Sequence, residues 1–509
     1  MLNNLKKAFS NSFIYSIGRL STKIVGLVLI PIYTEKLTTV DYGMLGILEI
    51  TSELLIALFS LTLYSAFVRL YWEQEFIDKQ KEMYFTYMMS LLVLGILMYL
   101  GFQPFVAYFS KALLGASNNL SLIQLMLIST ALRIIVRSPS TLMRSQEKPV
   151  LFTITNISRL VVTLVLTVYF IIYRGHKIEA IFEAQIIGQL FYLIVLLKYI
   201  LQNNRLKFDF IILKEMLNYS LPLVFSSISG VLLTLGDRYC LRILAQFSEL
   251  GVYNLGFKLA NVLKVFFISS IQLAIPPMVY KMIDQPNSKR FYSKIMTYTS
   301  FTLIILILIV TLYSKEIIRV IAASSSYWEA YKVVPYLSFS SLFLMLMYTS
   351  SIGLNIMKKT KVMARIVIII SVLNILLNFA FIPSLRIVGA SLATLISRIL
   401  HFVIIYYVTQ KIYKIPYELK KICLMITVAV IIVIAGMMVN DLNLAIRLTV
   451  KTLMIISFPL VLYLFHFYEE IELLRIKQTW QKWRDPRNWK KNTRSFNVKK
   501  EEKEPDPES

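Results

Sequence analysis

Apolar runs of about twenty residues recur from one end of this 509-residue chain to the other, and that pattern decides its solvent. A helix rises about 1.5 Å per residue, so each run is long enough to cross the roughly 30 Å hydrocarbon layer of a bilayer. The strands of a membrane barrel would alternate apolar and polar residues instead. These runs do not alternate, so the sequence predicts an all-α membrane protein with about fourteen transmembrane helices. At 57% hydrophobic residues and a mean hydropathy of +0.65, the chain carries far more apolar side chain than a soluble core needs.

Charge clusters and Pro/Gly punctuation place the spans near 11–33, 42–66, 84–109, 120–138, 150–173 and 178–200, then 217–236, 252–279, 293–313, 333–355, 362–382 and 388–409, and finally 421–439 and 446–466. The expected organisation is a six-helix bundle in 1–202, a basic cytoplasmic connector in 203–216, a second six-helix bundle in 217–410 and two additional helices in 411–466. A tail follows over 467–509. Its first part mixes Trp480, Trp483 and Trp489 with Arg475, Lys477 and Lys482, as in a helix lying at a headgroup surface, and its polar end is expected to be disordered.

In a soluble chain a formal charge of +25 would suggest nucleic acid, but here the cations flank the spans. With the first helix leaving the cytoplasm after Lys6 and Lys7, the cytoplasmic loops hold about 24 Lys and Arg against about 9 outside, which puts both termini in the cytoplasm. The first apolar run lacks a small-residue cleavage site and is read as a retained span. Cys240 and Cys423 fall on opposite sides and imply no disulfide. His176, His401 and His466 lack partners at metal-binding spacing, and Gly251 to Gly256 is followed by Phe257 and Lys258, not by the Lys-Ser/Thr of a phosphate-binding loop. No metal, cofactor or nucleic acid is expected, and without a long outer loop an enzyme reading is weak.

The chain also repeats itself. Tyr42-Gly43-Met44-Leu45-Gly46 recurs as Tyr253-Asn254-Leu255-Gly256, Leu142 to Gln146 as Ile356 to Thr360, and Glu179 to Ala184 as Gly389 to Thr394. The offsets are about 211, 214 and 210 residues. A near-constant offset across three segments points to a duplicated six-helix unit in one orientation, the plan of transporters that bind at midplane between two halves.

Ten ionisable residues fall inside spans and away from their ends: Arg19, Lys23, Glu49, Glu53, Arg133, Arg159, Glu183, Lys258, Lys264 and Arg398, with His401 one turn beyond the last. At roughly 2.5 to 3.5 kcal/mol each when facing lipid, they would together cost about 25 to 35 kcal/mol, more than a typical fold's stability. They must face protein or water. Arg19 and Lys23 are four apart, as are Glu49 and Glu53, so each pair shares a helix face, and the two faces can form an ion-pair ladder. Pairing leaves an excess of cations, which in a cleft attracts an anionic solute. Arg19, Lys23, Lys264 and Arg398, nearest mid-depth, are the foremost candidates for substrate contact, with Arg159 and Lys258 beside them. Arg133, beside Arg137, reads as a headgroup contact. Glu49, Glu53 and Asp237 are candidates for coupling to a proton or sodium ion.

The run Pro31 to Gly46, followed by Ser65-Ala66-Phe67-Val68-Arg69-Leu70-Tyr71 and echoed by Leu250 to Gly256, resembles the amino-terminal signature of bacterial polysaccharide-export flippases. These form the Wzx-like branch of the multidrug/oligosaccharidyl-lipid/polysaccharide (MOP) exporter superfamily. The resemblance covers the chain to about residue 466. It implies a MATE-like fold of two pseudo-symmetric six-helix bundles plus two C-terminal helices, and alternating access that carries an undecaprenyl-diphosphate-linked oligosaccharide across the bacterial inner membrane for O-antigen or other surface polysaccharide biosynthesis. Membrane lipids and a glycan polymerase or export complex are the partners expected. The alternatives are a cation-coupled multidrug exporter of the same fold, which calls for a carboxylate-rich or aromatic cavity, and a membrane glycan polymerase or ligase, which calls for a large outer loop.

Overall fold

The computed structural model describes residues 26, 28–115, 119–283, 285–470 and 472–474. Arg19, Lys23 and the tryptophan-bearing part of the tail lie outside the described residues. The described chain is helical and contains no strand. Twelve described segments are long and apolar enough to cross a membrane. One of them, Thr360–Ile412, is two helices joined at Arg386, whose φ of 52° and ψ of −129° are not helical. The protein is therefore a multi-pass membrane protein. The chain up to Glu418 forms one compact unit and the chain from Leu419 a second.

The first unit begins with the short helix α1 (Ile30–Lys36) and continues through α2 (Thr39–Phe59), α3 (Gln80–Phe102), α4 (Leu120–Ser145), α5 (Pro149–Ile172) and α6 (Ile178–Val195). Asp209 then caps α7 (Phe210–Leu235) by accepting from the Ile211 and Ile212 amides at 2.8 and 3.2 Å. Next come α8 (Phe247–Leu263), α9 (Ser288–Leu312), α10 (Val334–Ser350) and the bent α11 (Thr360–Ile412). Both α2 and α8 start at a capping box, Thr38 with Asp41 and Gln246 with Glu249, so sequence chemistry fixes where these two helices begin. In the second unit α12 (Leu419–Met438) and α13 (Leu444–Leu464) are joined by a tight turn. There Lys451 Nζ and Arg447 Nη1 donate to Asn440 Oδ1 and O, each at 2.8 Å, giving two buried cations polar partners.

The duplication is written into the backbone. α4 ends in a left-handed residue, Glu147, with φ of 52°, and Ile352–Ile356 of the second half ends at Lys358, with φ of 54°. Both turns close with the same bond, Lys148 N to Met143 O at 2.8 Å and Lys359 N to Leu354 O at 2.9 Å. Gly175, with φ of 69°, precedes α6, and Arg386, with φ of 52°, breaks α11. Each of these pairs is 211 residues apart. The 142-to-356 segment therefore belongs at a 211-residue offset, within one residue of the other two. Apolar helices tolerate a slip of three residues in a sequence match; the αL turn does not.

At Arg386 an L-residue takes a positive φ, as a glycine does at the matching place in the first half, and strain of this kind costs about 1–3 kcal/mol. Arg386→Gly is expected to raise thermal stability and Arg386→Val to lower it, read from melting curves of the purified protein. Arg386 reaches Glu249 only at 3.9 Å, with both side chains solvent-accessible, so losing that ion pair will not mask the gain.

Candidate functional site

The two halves meet most closely where α2 crosses α8. Gly43 and Gly251 face each other there: a Cβ on Gly43 would strike the Phe247 carbonyl, and one on Gly251 the Thr39 carbonyl. Small residues let two backbones approach to this degree, and in lipid such packing is the main source of helix association. Asn254 Nδ2 donates to the Tyr42 carbonyl across the crossing at 3.4 Å, and a Cβ on Gly46 would overlap the same amide. Ile47, Cys240, Leu250 and Tyr253 fill the crossing as a buried cluster. The same end of the unit carries further ties between the halves: Tyr327 Oη to Leu37 O at 3.0 Å, the Ala323 amide to Thr34 Oγ1 at 3.0 Å, and Arg242 Nε to Leu113 O at 2.8 Å. The repeated Tyr-Gly motif is thus a helix-packing device.

Beyond the crossing the two helices enclose a cavity of about 820 Å³. Its wall takes Gly46, Glu49 and Glu53 from α2 and Phe257, Lys258 and Asn261 from α8, all on the C-terminal side of the glycine contact. Arg133 from α4, Arg159 from α5 and Gln185 and Gln189 from α6 complete the first-half side. Lys264 stands at the first residue of a π-helical turn, Lys264–Ile268, which widens α8 where it passes the cavity. Turns of this kind recur at functional sites because they displace a side chain from its regular position.

Of the residues singled out in the sequence, Glu49, Glu53, Arg159, Lys258 and Lys264 line this one cavity. Glu53 pairs with Arg133, whose Nη1 also donates to Ser52 Oγ at 3.0 Å. Arg133 therefore sits in the cavity wall and makes an ion pair, where the sequence suggested a headgroup contact. Lys258 reaches across the halves, with Nζ 4.8 Å from the centre of the Tyr42 ring and 5.7 Å from that of Tyr33. Arg159 is held by Asn156 Oδ1 at 2.9 Å and lies 4.9 Å over the Tyr192 ring, with no carboxylate partner among the described residues. Glu183 lies outside the cavity and pairs with His176 at 2.8 Å.

Asp237 and Arg398 stand behind the wall. Asp237 is buried, bonded to Arg238 Nη1 at 3.2 Å and to the Tyr253 hydroxyl. Arg238 continues the network to Asn254 Oδ1 at 2.6 Å, stacks 4.1 Å over Phe257 and reaches the cavity wall. Arg238 is absent from the sequence-based candidates because it follows the predicted end of the span. Its signal was the adjacent acid Asp237, since neighbouring opposite charges at a helix end are able to enter the interior as a pair. Arg398 donates from Nη2 to Thr234 Oγ1 at 3.2 Å and lines a small side pocket.

A family model described as polysaccharide biosynthesis protein matches residues 8–283, more than half of the chain. The chain belongs to the polysaccharide biosynthesis protein family. The resemblance of its motifs to the polysaccharide-export branch of the MOP superfamily agrees with this membership. Among solved structures, the "Lipid II flippase MurJ, inward closed conformation" superposes with a TM-score of 0.68 at 16% identity, over 90% of this chain and 100% of that one. An inward-facing multidrug resistance MATE family transporter of the MOP superfamily superposes with a TM-score of 0.60 at 12% identity, over 80% of this chain and 97% of that one. These likenesses establish a shared fold. Over 237 residues the chain is 22% identical to the uncharacterized membrane protein MJ1068 of Methanocaldococcus jannaschii, a match spanning 45% of this chain and 46% of that protein.

Because the glycine contact closes one end of the cavity, a bulky side chain there should pry the halves apart. In Gly251→Leu, with Cys423 replaced by serine, we expect the buried Cys240 to react with a membrane-permeant maleimide at least about tenfold faster than in the parent, a 1.4 kcal/mol change in the opening equilibrium. Mass spectrometry of the labelled protein measures the rate.

Proposed function

We propose that this member of the polysaccharide biosynthesis protein family is a transporter that flips an undecaprenyl-diphosphate-linked oligosaccharide across the bacterial inner membrane by alternating access. One observation carries the reading: a cavity shared by the two halves and lined by cations from both, ending at a glycine crossing. Arg159, Lys258 and Lys264, with Arg19 and Lys23 of the first span, would hold the diphosphate. The oligosaccharide would occupy the wet cavity while the polyprenyl tail stays in lipid between the bundles of 1–202 and 217–410.

With both termini in the cytoplasm, as the charge distribution of the loops supports, the glycine crossing would lie at the periplasmic end and this state would receive cargo from the cytoplasm. Separating α2 from α8 at Gly43 and Gly251 while closing the opposite end would then release it outside. Moving a negative headgroup outward is favoured by an inside-negative potential at about 2.3 kcal/mol per charge per 100 mV. Glu49, Glu53 and the buried Asp237 are the groups through which a proton or sodium ion could couple. Both termini would lie in the cytoplasm, and a glycan polymerase or export complex would take the product. The role proposed is transport without chemistry on the glycan. A drug exporter on this fold would need a carboxylate-rich or aromatic cavity, whereas here Glu53 is paired with Arg133 and the wall carries Arg133, Arg159, Arg238, Lys258 and Lys264 against Glu49 and Glu53.

The test is export of surface glycan in a producing cell. Arg159→Gln, Lys264→Gln, Arg19→Gln and Lys23→Gln are each expected to cut exported glycan by about tenfold or more, the effect of losing one charge-assisted phosphate contact, with normal protein levels in the membrane. The lipid-linked precursor should accumulate. Normal export in all four, or resistance to organic cations that depends on this protein, would overturn the reading.

A further inference from the structure

The side pocket around Arg398 has a chemistry of its own. Arg398 is only 8% exposed, and among the described residues its guanidinium makes a single hydrogen bond, to the neutral Thr234 hydroxyl. A guanidinium has five N–H donors, and a buried one is normally compensated by a carboxylate. Among the described residues none is paired with it: Asp237 of the same half is already engaged by Arg238 and Tyr253. The pocket is about 30 Å³, room for one water-sized group. Its lining includes Arg398, Lys264, Asn261, Thr234, Ser340 and Ser341. Two cationic residues and an amide residue therefore share the lining of one small space. One turn from Arg398, His401 is 2% exposed with neither ring nitrogen partnered, so no acid compensates the cation from that side.

We propose that this pocket in the second half binds one monovalent anion, held by Arg398, Lys264 and Asn261. The wall is shared with the large cavity, since Thr234, Phe257, Asn261 and Lys264 line both. The anion thus has two sources, free chloride or a carboxylate on a sugar of the cargo, and the second rests on the transport reading above. A diphosphate is too large for the space, and of an acidic sugar only the carboxylate can enter, with the ring left in the large cavity. Ser340 and Ser341 donate to the Leu337 carbonyl at 2.7 and 3.3 Å, and either hydroxyl can rotate toward an arriving anion without losing its place on the helix.

Binding is measured on the purified full-length protein in detergent, by thermal denaturation during separate titrations with sodium chloride and sodium glucuronate, ionic strength being held with sodium sulfate. A saturable rise in melting temperature with either anion is expected, weakened about tenfold or more in Arg398→Gln and largely kept in Arg398→Lys. Chloride alone acting identifies a resident inorganic ion; glucuronate acting identifies an acidic sugar as the natural occupant. If Arg398→Gln does not fold, Asn261→Asp carries the test: its built-in carboxylate should abolish the response while leaving the anion-free protein at least as stable as the parent. The proposal is overturned if neither anion acts, or if the response is unchanged in Arg398→Gln or in Asn261→Asp. None of these readouts requires glycan export, so failure here leaves the flippase reading standing, and failure of export leaves this site standing with chloride.

Discussion

The close approach of α2 and α8 at Gly43 and Gly251 is the contact on which the first unit depends. Lipid gives two helices no hydrophobic reason to associate, so the backbone-to-backbone packing allowed by missing side chains has to hold the halves together. The contact is small and lies near one end of both helices. Beyond it the helices are free to diverge, and the divergence makes the cavity. A pair of capping boxes fixes the starting residue of each helix, so the glycines arrive at the same level. Closure at one end and a charge-bearing chamber beyond it are two results of one crossing.

The charges follow from that geometry. A helix that faces a cavity on one side can carry ionisable groups where a lipid-facing helix cannot, because water or a partner replaces hydration. The first half spends its acids close to its bases, Glu53 on Arg133, whereas Arg159 has only an amide and an aromatic face. The second half pairs Asp237 with Arg238 and leaves Arg398 with a hydroxyl. The two halves share a backbone plan to within a single residue of offset, yet their polar chemistry differs at nearly every corresponding position. Duplication conserved what packing requires, and the side chains facing the chamber diverged.

Much of this was legible in the sequence where the physics is local. The spans, the membership of the two C-terminal helices and the presence of a repeat all follow from the length and periodicity of apolar runs, since a bilayer imposes the same constraint on every helix. The offset of the second repeat segment was misread by three residues because one apolar stretch resembles another; the αL residues Glu147 and Lys358 resolve it, and a positive φ at a charged residue leaves no mark on hydropathy. That Glu49, Glu53, Arg159, Lys258 and Lys264 belong together was inferred from the cost of leaving them in lipid, which says that they need company without naming it.

The sequence by itself determined that this chain spans a membrane many times, that its two halves are copies and that a surplus of cations lies within the membrane. Only the tertiary structure decided which charges meet. Arg133 joined Glu53 across 80 residues of chain, Asp237 was taken by its neighbour Arg238, and Arg398 turned away from the main cavity into a pocket of its own. Partner choice at that range depends on the rotation and crossing of whole helices. Those are set by packing between the halves, and no local stretch of sequence encodes them.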